Sequence, residues 1–281
     1  MNEIVYLNGE FLPVDKARIS PNDRGFIFAD GVYEVTKYYK GKPFRYHDHL
    51  ARLKRSLAEL SIGFKNIDGL YDIFIELLAK NKLANSDAGI YVQISRGTHK
   101  RIHKFPANIE PTIYAYAFAS PSATEKLEKG IKVITAEDIR WQRCDIKSVS
   151  LLPPTMLNNK AAGEEAGECI LVRDGFVTEA TFASVFAVRN ETVITRPLSN
   201  LILSGVTRKV VLEICAANNI PVKEQLFTEE ELLGADEVFI TGTGIEITPV
   251  VKINSTPVGN GAPGRVTRLI QQKFFEIVNE L

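Results

Sequence analysis

A lysine, a carboxylate and two small-residue loops are the parts of this sequence best suited to chemistry. Lys147 sits in Cys144-Asp145-Ile146-Lys147-Ser148, a mostly uncharged stretch after a predicted strand. Such a lysine is either an ordinary solvated amine or, when burial lowers its pKa beside a carbonyl compound, a Schiff-base former. Leu203-Ser204-Gly205-Val206-Thr207-Arg208 runs from a loop into a helix start. There Gly205 permits close backbone approach, and the first helical amides are unpaired donors whose dipole favours an anion. Thr207 adds a hydroxyl. Thr241-Gly242-Thr243-Gly244 follows the strand Val238-Phe239-Ile240 and is a second loop able to wrap a phosphate. Neither matches a P-loop, since no Gly-Lys-Ser/Thr follows, and each alone is equally an ordinary turn. Glu179 ends Phe176-Val177-Thr178-Glu179. It is a surface glutamate or, beside a pyridine ring, the group that keeps the ring nitrogen protonated and makes it an electron sink.

The elements that must position these residues mix strands and helices without strict βαβ alternation, which favours an α+β fold. Val5 and Leu7, then Asn8-Gly9, then Phe11 predict a hairpin, because Asn-Gly tolerates the positive φ of a two-residue turn. A second turn is expected at Gly41. Leu50, Leu53, Leu57 and Leu60 recur at helical spacing between Asp48 and Ile62, and a further helix fits Leu70 to Leu78. Strands are expected at 90–94, 112–118, 131–134, 169–173, 184–188, 193–195 and 237–241. Helices are expected over about 157–166, 206–217 and at the end of the chain. Ala119 to Thr124 is small, polar and proline-bearing, so the domain boundary is placed there, giving domains 1–119 and 120–281 with Lys147 in the second.

Composition narrows the function. The 281 residues include 34 basic and 34 acidic ones, so zero net charge gives no electrostatic case for nucleic acid or an anionic membrane. Three scattered cysteines suit reduced thiols rather than a disulfide framework or a zinc cluster. The opening MNEIVYLNGEFLPV lacks the basic and apolar regions of a secretory leader. No apolar stretch approaches the roughly 20 residues that span a bilayer. A soluble, cytoplasmic protein is expected, with no metal.

Lysine, carboxylate and anion loops in this chain order resemble the fold-type IV pyridoxal-phosphate enzymes. That group holds the D-amino acid and branched-chain aminotransferases and aminodeoxychorismate lyase. The resemblance runs from Asp23-Arg24-Gly25 and Asp30-Gly31-Val32-Tyr33-Glu34 to Glu246-Ile247-Thr248-Pro249. Arg140-Trp141, Cys144 to Ser148 and Arg101-Ile102-His103 make the bacterial D-amino acid aminotransferases the most similar branch. The resemblance implies a smaller N-terminal α/β domain, a larger C-terminal pseudo-barrel domain, and the cofactor in the cleft between them. Lys147 would carry pyridoxal 5'-phosphate covalently and move a proton, and Glu179 would pair with the ring nitrogen. Arg52, the amides of Val206 and Thr207, and Thr243 would hold the phosphate, with Leu203 on the ring face. Homodimers sharing their active sites are also implied.

Substrate class turns on Arg101-Ile102-His103. In an extended segment, residues two apart face one side, so both cations can meet one carboxylate. With His99, Lys100 and Lys104 alongside, the segment is equally a solvated basic loop. The resemblance implies the former: an Arg-x-His pair from the partner subunit grips the substrate α-carboxylate together with a tyrosine, here Tyr33. Transamination between D-amino acids such as D-alanine and 2-oxo acids such as 2-oxoglutarate, by a ping-pong mechanism, is therefore expected. The alternatives are a branched-chain L-amino acid aminotransferase, the lyase, and a non-catalytic cofactor-binding protein. Departures from the family pattern are a longer segment with Pro153-Pro154 after the lysine, and Phe182 and Ser184 in a run that commonly ends in Asn.

Overall fold

The computed structural model describes residues 3–281. The chain forms two compact units: residues up to Pro121 with Ile146–Ser150 and Leu281, and Ser122–Asp145 with Leu151–Glu280. The sequence places the division after Ala119 and Lys147 in the second domain, whereas residues 146–150 group with the first unit. The reason is local. Ile146 is 5% exposed in that unit's core, and the backbone of Lys147 and Val149 bonds to the strand carrying Tyr33.

The first unit contains β1 (Ile4–Leu7), β2 (Glu10–Pro13), α1 (Arg24–Phe28), β3 (Gly31–Tyr39), β4 (Lys42–Pro43), α2 (Tyr46–Glu59), α3 (Leu70–Lys80), β5 (Ala88–Ser95) and β6 (Thr112–Ala119). Its antiparallel sheet has the order β2-β1-β6-β5-β3-β4. Asn8 (φ 48°) and Gly9 (φ 105°) make the expected hairpin turn between β1 and β2. Leu53 and Leu57 of α2 and Phe74, Leu77 and Leu78 of α3 pack in one core with Val32, Ile90, Val92 and Ile94 of the sheet. Each such side chain contributes about 1.5–3 kcal/mol by leaving water. Strand periodicity then sorts β3: Val32, Glu34, Thr36 and Tyr38 share one face, and Tyr33 lies on the other. That other face carries a row of stacked rings, Tyr33 on Tyr91 at 5.6 Å and Tyr91 on Tyr116 at 5.1 Å.

The second unit contains α4 (Thr124–Lys129), β7 (Ile131–Glu137), α5 (Leu152–Gly163), β8 (Glu168–Arg173), β9 (Phe176–Ala180), β10 (Ser184–Arg189), β11 (Thr192–Thr195) and α6 (Val206–Ala217). It continues through β12 (Val222–Glu224), α7 (Glu229–Leu233), β13 (Glu237–Gly242), β14 (Glu246–Ile253), β15 (Thr256–Pro257) and α8 (Arg265–Asn279). The sheet order is β12-β11-β10-β13-β14-β7-β8-β9, with β15 on β14. The sheet curls until its two ends meet: Val177 N of β9 donates to Phe227 O just after β12 at 3.0 Å, and Arg196 just after β11 donates to Val177 O at 3.0 Å.

Among the elements that differ from the sequence expectation are one helix and one strand. Helix α5 begins at Leu152 rather than near Leu157, with Pro153 and Pro154 in its first turn, where a missing N–H costs nothing. β14 is an inner strand despite Pro249, and its ladder to β7 shifts register between Val250 and Lys252. Cys144, Cys169 and Cys215 are free and buried. No helix among the described residues is long and apolar enough to cross a membrane.

Candidate active site

In the first unit, Lys147 is fixed by its backbone. Tyr33 N donates to Lys147 O at 3.0 Å, Val149 N donates to Gly31 O at 3.0 Å, and Lys147 N donates to Ser56 Oγ at 3.2 Å. Its side chain is left to other work, with Nζ 4.2 Å from the centre of the Tyr33 ring. On the opposite face of β3, Glu34 receives Arg52 Nε at 2.9 Å and Nη2 at 2.7 Å, and meets His49 Nδ1 at 3.0 Å. Glu34 and His49 are only 2% exposed and Arg52 9%. Breaking such a buried pair from one side would leave an uncompensated charge.

Burial alone would raise the Glu34 carboxyl, but Arg52 and then His49 outweigh it and hold it well below the usual carboxylate range. Burial pushes His49 down from 6.5; Glu34 opposes this, while Arg52 and Lys147 add to it, so the fold disfavours protonation of the imidazole. A native group with a depressed pKa stabilises the fold fully above its unfolded pKa and loses that contribution as pH falls through the native one. The protein should therefore lose stability as pH drops below 6.5, first through His49. In His49→Asn, thermal melts across this range should show a shallower dependence on pH. An unaltered slope would contradict a lowered His49 pKa.

Arg101 and His103 are exposed, and the structure brings both onto one aromatic ring. Arg101 Cζ lies 5.2 Å from the Phe28 centroid, and the His103 ring lies 5.6 Å from it. Within the chain, Tyr33 keeps company instead with Lys147 and Tyr91.

The second unit gathers the remaining residues. Glu179, next to last in β9, is 6% exposed; one carboxylate oxygen accepts from Arg140, and the other accepts Leu203 N at 3.0 Å. Arg140 also donates from Nε and Nη2 to the two oxygens of Asp138, each at 2.8 Å, and Thr178 Oγ1 donates to Asp138 at 2.9 Å. Burial lifts the Glu179 carboxyl above its ordinary value, with Arg140 opposing. The hydrogen bonds from Arg140 overcome burial at Asp138 and keep that carboxylate charged. Glu179 is thus a carboxylate that a further positive donor would stabilise.

The two anion loops adjoin through Ser184, which starts β10. It pairs with Thr241, and a Cβ on Gly205 would stand 2.7 Å from its Oγ. Gly205 is the N-cap of α6 and offers no side chain to the first-turn amides of Val206 and Thr207. Thr241 Oγ1 is buried and makes no hydrogen bond among the described residues, and Thr243 follows half-buried in the turn. Phe182 is 56% exposed.

Residues 31–253 match the family model for amino-transferase class IV. The chain belongs to the class IV aminotransferases. This class IV aminotransferase is 42% identical to a D-alanine aminotransferase of Staphylococcus haemolyticus over 273 residues, 96% of each chain. Among solved structures it resembles the Escherichia coli branched-chain amino acid aminotransferase with a TM-score of 0.91 at 27% identity, covering 99% of this chain and 95% of that one. It also resembles the T.th. branched-chain amino acid aminotransferase with pyridoxamine 5'-phosphate, with a TM-score of 0.89 at 25% identity, covering 99% and 94%.

Several neighbours of the expected site residues have no role assigned by the sequence reading. Glu34, His49, Asp138 and Arg140 each touch one of them or support one that does. One trace was available. His49, Arg52 and Ser56 repeat at helical spacing beside Leu53 and Leu57, a polar stripe inside an apolar face. Nothing local marks Phe28.

Proposed function

We propose that this class IV aminotransferase passes the amino group of a D-amino acid such as D-alanine to a 2-oxo acid such as 2-oxoglutarate in a ping-pong cycle with pyridoxal 5'-phosphate. The observation that carries the substrate class is its likeness, along nearly the whole chain, to a D-alanine aminotransferase. The paired nitrogen donors at Arg101 and His103 fit a carboxylate-bearing substrate.

The residues present fit the cofactor. A bare helix N-terminus at Gly205, with an unused buried hydroxyl on Thr241 nearby, suits a phosphate. Glu179, lifted by burial, suits a protonated ring nitrogen. Bound there, the cofactor supplies a cationic ring that withdraws electrons from the substrate Cα. Lys147 gives the amine for covalent attachment and moves the proton at Cα. Glu179 keeps the ring nitrogen protonated. The amides of Val206 and Thr207, with Thr243 and Arg52, hold the phosphate, Arg52 while its Nε and Nη2 stay on Glu34, and Leu203 packs on the ring. Arg101, His103 and Tyr33 grip the α-carboxylate. A homodimer, in which the Arg101–His103 segment serves the neighbouring subunit's site, and a cytoplasmic place belong to the same reading.

The test is the handedness of the product. Purified enzyme given D-alanine and 2-oxoglutarate should form pyruvate and D-glutamate. L-Glutamate as the product, with branched-chain L-amino acids as the better donors, would contradict the proposal.

A further inference from the structure

Arg101 and His103 carry positive or potentially positive groups, yet neither makes an ion pair among the described residues; what they share is the Phe28 ring. A carboxylate in that place would neutralise the pair before any substrate arrived. An aromatic face attracts a guanidinium while leaving its N–H donors unspent.

Phe28 ends α1, and Arg24 begins it. The Asp23 side chain caps this short helix by accepting Gly25 N at 2.8 Å. Arg24, 2% exposed, donates through Nε to Asp30 at 2.7 Å and through Nη1 to the carbonyl of Ile102 at 2.7 Å. Ile102 is the residue between the two cations, so this bond fixes the backbone from which both project. The same Arg24 guanidinium lies 4.7 Å from the centre of the Phe28 ring. Arg96 grips both oxygens of Asp30 at 2.8 and 2.9 Å, sharing Oδ2 with Arg24, and stacks 3.5 Å from Phe105, two residues past His103. One buried carboxylate thus ties α1 and the 101–105 segment together.

We propose that Phe28, held by the Arg24–Asp30–Arg96 cluster, is a specificity-determining positioning residue that sets the spacing of Arg101 and His103 for an α-carboxylate. This rests on the reading of Arg101 and His103 as the carboxylate clamp. Phe28 acts through the pair, so its effect exists only while the pair is intact.

The test is a double-mutant cycle on the loaded enzyme with D-alanine. Phe28→Ala should raise KM roughly tenfold with kcat and cofactor content nearly unchanged, and Phe28→Leu, which keeps the bulk but loses the aromatic face, should shift KM the same way. Arg101→Ala should raise KM further. The double variant Phe28→Ala/Arg101→Ala should be little worse than Arg101→Ala alone, the non-additivity of residues acting as one unit. An unchanged KM in both Phe28 variants beside a raised KM in Arg101→Ala would overturn the role of Phe28 and leave the clamp standing. Additive losses would overturn it as well. An unchanged KM in Arg101→Ala would instead remove the clamp reading itself.

Discussion

Lys147→Ala is expected to abolish transamination, with turnover falling by a factor on the order of 10⁴ or more, since loss of a positioned acid–base group alone costs about 10²–10⁴. The proposed role joins two tasks in one amine, covalent attachment and proton transfer at the substrate Cα, so removing it takes away both. The fold should survive the change. What secures this segment is backbone: the carbonyl of Lys147 accepts from Tyr33, its N–H donates to Ser56 Oγ, and Ile146 fills the core. The variant should therefore melt near the parent temperature and retain cofactor through the phosphate-binding groups, while its visible absorbance moves away from that of the covalently bound form. Turnover surviving undiminished would remove Lys147 from the chemistry.

Glu179→Gln should lower turnover by about 10²–10³, the usual loss when a preorganised electrostatic group is taken from an active site. Glutamine is close in shape and its one carbonyl oxygen can still accept Leu203 N, so the change removes the charge together with the bond from Arg140. Arg140 loses one partner but keeps two bonds to Asp138, so local collapse is not the expected cause of the loss. Turnover and bound cofactor measured together decide it: low activity with cofactor retained supports ring protonation by Glu179. Full activity in the glutamine variant would contradict it.

What could be read from the sequence was whatever depends on neighbours in the chain. The Asn8-Gly9 hairpin, helices α2 and α6 and the small-residue turn after β13 follow from turn chemistry and periodicity within a few residues. Lys147, Glu179 and the two loops stood out by type and context. Features made by distant partners could not be read so. Glu34 looks like any strand glutamate until α2 lays His49 and Arg52 over it. Phe28 becomes informative only when Arg24 reaches a carbonyl 78 residues away. Helix α5 starts before the expected Leu157, at Leu152, because a helix's first turn accepts Pro153 and Pro154. β14 was not among the expected strands; within it Pro249 pairs in register with Phe239 of β13.

The most direct test of the account adds D-alanine, and separately L-leucine, to the purified enzyme carrying its cofactor, with no oxo acid present. The visible spectrum is then followed through a single half-reaction. The account predicts that D-alanine alone bleaches the band of the lysine-bound cofactor, with one equivalent of pyruvate released per site. Bleaching by L-leucine and not by D-alanine would contradict it, and would return Arg101 and His103 to the solvated surface.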